Sequence, residues 1–339
     1  MKFKFLNLIC IFLLLMSFSG TVIASSAPVY PSAGIESITG FTEEYEALSD
    51  EEKQKIRDCE NQWFENYTFN VTVTTIFRND ESVTKSNLPC HNLVIETIYE
   101  SDEEKFKKEF GSDSISSSES YLVKQDIQTV FLAGEVIPLE SLKSTNKLVF
   151  TETKQVILVP ASTPHEWWND GYAYPPYLYK KQYFGIFGDY TEREDPVNLV
   201  WKNTTASTAR STLISQTGWV ALSDSILAEY PYAVYDRNGQ WVTPLSVGET
   251  AQRRNGGYHV RIYQLSDGSV IGGAHKDSPI ISSSGITHKV VDLEYAEYVV
   301  CNYFYHAGWQ VRQNYINLYN SGTFGQGATN NGNATQIKR

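Results

Sequence analysis

The sequence predicts an α+β fold in two domains, the second a mixed sheet with helices on one face. Three observations predict it. Residues 48–67 recur at helical spacing and then give way abruptly to a period of two. A stretch crowded with proline and aromatics, residues 161–189, separates two hydrophobic halves. The later half alternates strand-like runs with two helices that finish alike, Thr217-Gly218-Trp219 and Ala307-Gly308-Trp309. At 339 residues the chain has room for one large or two ordinary domains. Hydrophobic residues make up 41% and charged residues 20%, enough to bury a core.

The first 27 residues read as an export signal. Lys2 and Lys4 precede the apolar run Phe5 to Phe18, and small residues lead to Ala24 or Ala27 as cleavage points. The alternative is an uncleaved membrane anchor, for which the run is short. The expected location is extracellular or in the cell envelope. Cysteine usage fits export: of Cys10, Cys59, Cys90 and Cys301, the first leaves with the signal, and Cys59 with Cys90 is the economical disulfide. Three free thiols are the alternative. Sequons at Asn66, Asn70, Asn203 and Asn333 allow glycosylation.

The N-terminal domain, residues 40–160, opens with a helix from Leu48 to Tyr67. Ser49 and Glu52 form a capping box, and Ile56, Cys59, Trp63 and Tyr67 mark the stripe expected to face the core. Phe69, Val71, Val73, Thr75 and Phe77 then alternate as a half-buried strand. Leu93 to Tyr99 is a second strand, and a short charged helix from Ser101 stops at Gly111. The serine-rich segment Ser112 to Ser120 reads as a loop, followed by strands at Val130 to Val136 and Lys147 to Val159.

Residues 161–189 read as a linker. Trp167, Trp168, Tyr172, Tyr174 and Tyr177 lie among Pro164, Pro175 and Pro176, with Pro160 just before. Such a row either stacks on sugar rings or fills the seam between two domains. The second domain, residues 190–321, begins with Asp195-Pro196 and the strand Val197 to Trp201. A helix from Ser207 to Gln216 ends at Gly218. Tyr258 to Leu265 and Ser269 to Ala274 form a hairpin about Asp267-Gly268. Asp292 caps a last helix ending at Gly308, and its stripe runs through Leu293, Ala296, Val300 and Phe304. Cys301 reads as core packing. Beyond Ser321 the chain is glycine, asparagine and threonine, so residues 322–339 are expected to be a disordered tail.

Composition excludes some functions. The chain has 28 Lys plus Arg against 39 Asp plus Glu and a net charge of −11, with no basic run to follow a phosphate backbone. It has no CxxC, HExxH, Walker loop, G-x-S-x-G elbow or dinucleotide fingerprint.

One constellation could carry chemistry. His259 and Arg261 share a face of the first hairpin strand. The return strand brings back His275 and Asp277, and His288 precedes the helix capped by Asp292. Imidazoles, a guanidinium, carboxylates and a helix start suit a small anionic ligand held by Arg261 and Asp292. They equally suit a hydrolase acting on a phosphoester or related ester, with His259 or His275 as base, Asp277 fixing its tautomer, and Arg261 as anion clamp. The imidazoles and carboxylate could instead hold a metal, although no diagnostic spacing is present. The plain alternative is that these side chains fix the hairpin against the helix. Gly256-Gly257 and Gly272-Gly273 read as turns or a strand bulge.

Together, Asp195-Pro196-Val197-Asn198-Leu199-Val200, the helix ending in Gly218-Trp219, His259-Val260-Arg261, His275-x-Asp277 and His288 resemble the LssY C-terminal domain family over residues 190–312. The resemblance implies an HxR strand, a glycine-rich return strand at Gly272-Gly273, a histidine turn at His288, and an acid at the start of the last helix, Asp292 with Glu294. Family members are often attached to multi-span membrane domains, some phosphatase-like, and the resemblance implies no particular reaction. The sequence departs from it in lacking such spans and in the polar stretch Thr243 to Asn255 before the HxR strand. The resulting expectation is an exported cell-surface protein binding a small anionic or carbohydrate ligand. A hydrolase and a structural envelope protein are the alternatives.

Overall fold

A computed structural model describes residues 36–80, 90–124, 129–132, 135–138, 141, 147–183, 189–221, 232–249, 257–277, 290–324 and 327–339. The fold is mixed α+β and mostly strand. In the first half, β1 (Ile38–Thr39), α1 (Glu43–Glu46) and α2 (Asp50–Tyr67) precede the long strands β2 (Thr68–Asp80) and β3 (Cys90–Glu100). Then come α3 (Glu104–Phe110), β4 (Ser114–Lys124), the hairpin β5 (Thr129–Leu132) and β6 (Glu135–Pro138), and β7 (Leu148–Pro160). A 3-10 turn, Trp167–Asp170, leads to β8 (Tyr177–Tyr183) and β9 (Asp189–Pro196). The second half runs through β10 (Leu199–Lys202), α4 (Ala206–Thr217), β11 (Val220–Ala221), β12 (Tyr232–Asp236), β13 (Gln240–Val242) and β14 (Leu245–Gly248). It continues with β15 (Tyr258–Gln264), β16 (Val270–Asp277), β17 (Val290–Asp292) and α5 (Glu294–His306). It closes with β18 (Gln310–Asn317), β19 (Gly322–Phe324), β20 (Ala328–Asn330) and β21 (Asn333–Lys338).

These strands make two large sheets. One has the order β13-β12-β8-β9-β7-β2-β3-β4. The other has the order β1-β18-β21-β10-β16-β15-β14-β11, with β17 added beside β16. The second is mixed, because β1 runs parallel to β18 and β10 parallel to β21 while its other pairs are antiparallel. Residues 32–339 form a single compact unit. The sheets do not follow the expected domain boundary. β8 and β9 from residues 161–196, and β12 with β13, all join the sheet of the first half, while β1 joins the sheet of the second.

Sequence pattern explains the elements. Ser49 and Glu52 close the expected capping box on α2. Phe69, Val71, Val73 and Phe77 are buried on one face of β2, and Phe106 and Phe110 of α3 pack against that face with Ile115, Leu158 and Tyr190. Gly111, Gly218 and Gly308 end or follow their helices at φ of 67°, 69° and 82°, the left-handed region in which glycine carries no Cβ penalty.

Three expectations need correcting. Ser112 to Ser120 is no loop: Ser114 onward pairs with β3, burying Ile115 while Ser116 and Ser118 face solvent on an edge strand. Cys59 is exposed, because the inward face of α2 is turned toward Ile56, Glu60, Trp63 and Phe64. It is a free thiol, and the Cys90 side chain, with the expected pairing, lies outside the described residues. The aromatic stretch, by contrast, serves as filler, the second of its two readings, and not as a shelf for sugars. Trp167 and Tyr172 are buried, and the Trp167 indole donates to the Tyr235 carbonyl at 2.8 Å. Finally, residues 322–339 are not a disordered tail. β21 sits between β18 and β10 near the middle of the mixed sheet, where backbone pairing gives order that composition does not show.

The core lies in two layers about the mixed sheet. On one face α4 and α5 pack against each other and against the strands, with Trp201 meeting Phe304. On the other, Val200, Tyr263, Ile271, Ile316 and Ala334 share a buried cluster with Leu178 of β8 and Tyr232 and Val234 of β12. This inter-sheet face positions the candidate site.

Candidate functional site: a buried charge cluster between the sheets

The Asp267-Gly268 turn sets the register of β15 and β16 as the sequence suggests. His259 stands opposite His275, and Arg261 opposite Gly273. With a period of two, His259, Arg261 and Tyr263 share the face that carries Gly273, His275 and Asp277. Tyr263 and Ile271 belong to the inter-sheet core, so this face looks at the other sheet. Gly272-Gly273 is therefore neither turn nor bulge but a mid-strand pair at a close approach. A Cβ on Gly273 would come within 2.9 Å of Leu178 Cδ1 and 3.3 Å of the Pro196 carbonyl oxygen.

Two groups from the facing sheet complete the cluster. The Arg261 guanidinium donates to Asp195 Oδ2 of β9 at 3.0 Å and lies 3.7 Å over the ring of Tyr232 of β12. His275 Nδ1 is 3.3 Å from the same Asp195 oxygen, and its Nε2 is 3.2 Å from Asp277 Oδ1. The His259 and His275 rings meet edge to face at 5.2 Å. Burial works against a charge on His275. The Asp277 carboxylate and hydrogen bonds to Asp195 and Asp277 outweigh it, and its pKa lies above the ordinary histidine value. With His275 protonated, two cations and two carboxylates balance.

All five side chains are enclosed: His259, His275 and Asp277 are 1% exposed, Arg261 2% and Asp195 3%. The structure places His259, Arg261, His275 and Asp277 side by side. Asp292 stands apart from them in role. Its carboxylate accepts from the Tyr295 N–H at 2.9 Å and caps α5. His288 lies outside the described residues. The sequence reading missed Asp195 and Tyr232 as members. The signal for Asp195 was an acid before proline at the end of a strand, with an unmatched arginine on a core-facing strand elsewhere.

A second acidic group lies under α2. His165 Nε2 is 2.6 Å from Asp170 Oδ2, Glu60 is close by, and Trp63 and Phe64 pack on the imidazole at 4.6 Å. Glu60 accepts from the Tyr172 hydroxyl at 3.3 Å. Burial, reinforced by Asp170, raises its pKa.

Among the described residues no helix is long and apolar enough to cross a membrane. Comparison with protein-family models, with curated proteins and with solved structures gave no match to this chain. The fold and cluster define a class of architecture only: two sheets fastened by a buried ionic group, with helices over one of them.

Proposed function

We propose that this is an exported structural protein of the cell envelope, in which the His/Arg/Asp cluster fastens one sheet to the other. The carrying observation is that Arg261 is already engaged. Its guanidinium is held by Asp195 and the Tyr232 ring at 2% exposure. A small anionic ligand would have to displace the protein's own carboxylate and enter a closed layer. The hydrolase alternative needs an approach for an ester to His259 or His275, and their 1% exposure weighs against one. Removing one member of such a buried group strands the others, which typically costs about 3–5 kcal/mol.

On this reading the two sheets, each built from both halves of the chain, are locked into one body. The export signal at residues 1–27 and sequons at the exposed Asn66, Asn70 and Asn203 suit an extracellular location. We propose further that residues 190–312 share a scaffold with the LssY C-terminal domain.

The test pairs a screen with a stability measurement. Purified residues 28–339 are assayed against phosphoesters and carboxylic esters, and for thermal shifts with anionic ligands and sugars. Asp195→Ala is unfolded in urea beside the parent. The expected outcome is no turnover, no saturable shift, and a loss of about 3–5 kcal/mol in the variant. Turnover abolished by His259→Ala, or a variant as stable as the parent, overturns the proposal.

A further inference from the structure

We propose that His259, His275 and Asp277 bind one divalent transition-metal ion of the zinc type. The fastening role of Arg261 and Asp195 stands with or without the ion, so this goes beyond that reading.

Each of the three residues offers one ligand atom, and these atoms all lie within 4.8 Å of one another. Two imidazoles and a carboxylate are a donor set that zinc and cobalt accept. His275 Nε2 and Asp277 Oδ1 are 3.2 Å apart. Bonds of zinc to nitrogen and oxygen near 2.0–2.1 Å give a tetrahedron with an edge of about 3.3 Å, so these two atoms already stand as neighbouring ligands of one ion. All three donors sit on paired strands, not loops. His259 is directly opposite His275, and Asp277 follows two residues later on the same face. The His259 donor lies within 4.8 Å of both.

The surroundings carry the argument further. A metal-bound imidazole generally has its second ring nitrogen held by a carboxylate, which fixes the tautomer and aims the ring. His275 has that arrangement. Its Nδ1 is 3.3 Å from Asp195 Oδ2, and Asp195 is itself held by Arg261 at 3.0 Å. The Arg261–Asp195 pair is neutral as a unit and lies on the far side of the imidazole from Asp277. The ion takes the place of the proton between His275 Nε2 and Asp277 Oδ1. That proton passes to solvent, His275 remains neutral as a ligand, and the fourth position is taken by water. The group under α2 lacks this geometry. At 2.6 Å its His165 Nε2 and Asp170 Oδ2 are too close to be two tetrahedral ligands of one ion, and stand instead as a direct ion-pair contact.

The experiment uses the purified protein, stripped with chelator and titrated with cobalt(II) and then zinc. We expect one equivalent of cobalt per chain, with the intense visible absorption of a tetrahedral centre, displaced by zinc. His259→Ala and Asp277→Asn lose that absorption. Asp195→Asn weakens binding about 10–100-fold while keeping the stoichiometry. His165→Ala binds like the parent. X-ray absorption on the zinc-loaded parent shows two imidazoles with oxygen and no sulfur, and this decides the matter if a variant fails to fold. No uptake, uptake indifferent to Asp277→Asn, uptake lost in His165→Ala, or a spectrum with sulfur or a single imidazole overturns the proposal. Ester turnover would sink the fastening role without touching this one, so the two failures are distinguishable.

Discussion

At the residue scale, the cluster was legible where one strand or one turn determines it. His259 with Arg261, and His275 with Asp277, follow from a period of two, and the Asp267-Gly268 turn aligns the two pairs. Asp195 was not legible, because its place beside Arg261 depends on how two sheets stack, and no local pattern encodes that. The same burial acts on other acids of the inter-sheet strands. Burial, followed by the neighbouring Glu192 carboxylate, pushes Glu194 up from 4.5 to about 7. A folded-state value above the unfolded one means that the folded chain holds its proton more tightly. The associated stability is present below pH 4.5 and is lost as pH rises through about 7. Glu194 is partly exposed, so solvent screening holds the loss to the order of 2 kcal/mol. Urea unfolding from about pH 4.5 to 8 is expected to show declining stability for the parent and a flatter curve for Glu194→Gln. Identical slopes would show that Glu194 titrates as an ordinary surface acid.

At the element scale, helices were read best because their ends carry explicit chemistry. The capping box of α2 and the glycine ends of α3 and α4 fall where their residues demand. Strands were read well when they were half-buried and alternating, as β2 is, and badly when polar. β4 is serine-rich, and only its pairing with β3 makes it a strand. This contrast bears on Asp292, which the sequence offered both as helix cap and as ligand contact. Its carboxylate takes the Tyr295 N–H at the start of α5, where the first N–H groups have no partner within the helix. Asp292→Ala is therefore expected to cost about 0.5–2 kcal/mol in urea unfolding, and Asp292→Ser to recover most of it. Cobalt binding at His259, His275 and Asp277 should be the same in both variants. A change in that binding would give Asp292 a part in the site that its present contact does not.

At the scale of the whole molecule, chain order and spatial order disagree, and here the sequence misled most. Asparagine at and just before the stretch expected to be a loose tail serves instead in buried hydrogen bonds. Asn320 donates to the carbonyls of Pro176 and Val197 at 2.7 and 2.9 Å, and Asn330 donates back to Asn320. The final strand, β21, then runs parallel to β10 and antiparallel to β18, so the last residues of the chain join strands from both ends of the second half. Ala334 and Ile337 of this strand are fully buried. A chain ending at Ser321 would leave β10 and β18 each with an unpaired edge inside the protein, and a buried backbone group without a partner costs about 1–3 kcal/mol. Several such groups exceed the few kcal/mol by which domains are stable. The truncated protein is expected to be insoluble, or to lose its cooperative thermal transition while keeping much of its far-ultraviolet signal. A soluble truncated chain that melts like the parent would mean that β21 is dispensable, and that the mixed sheet closes without it.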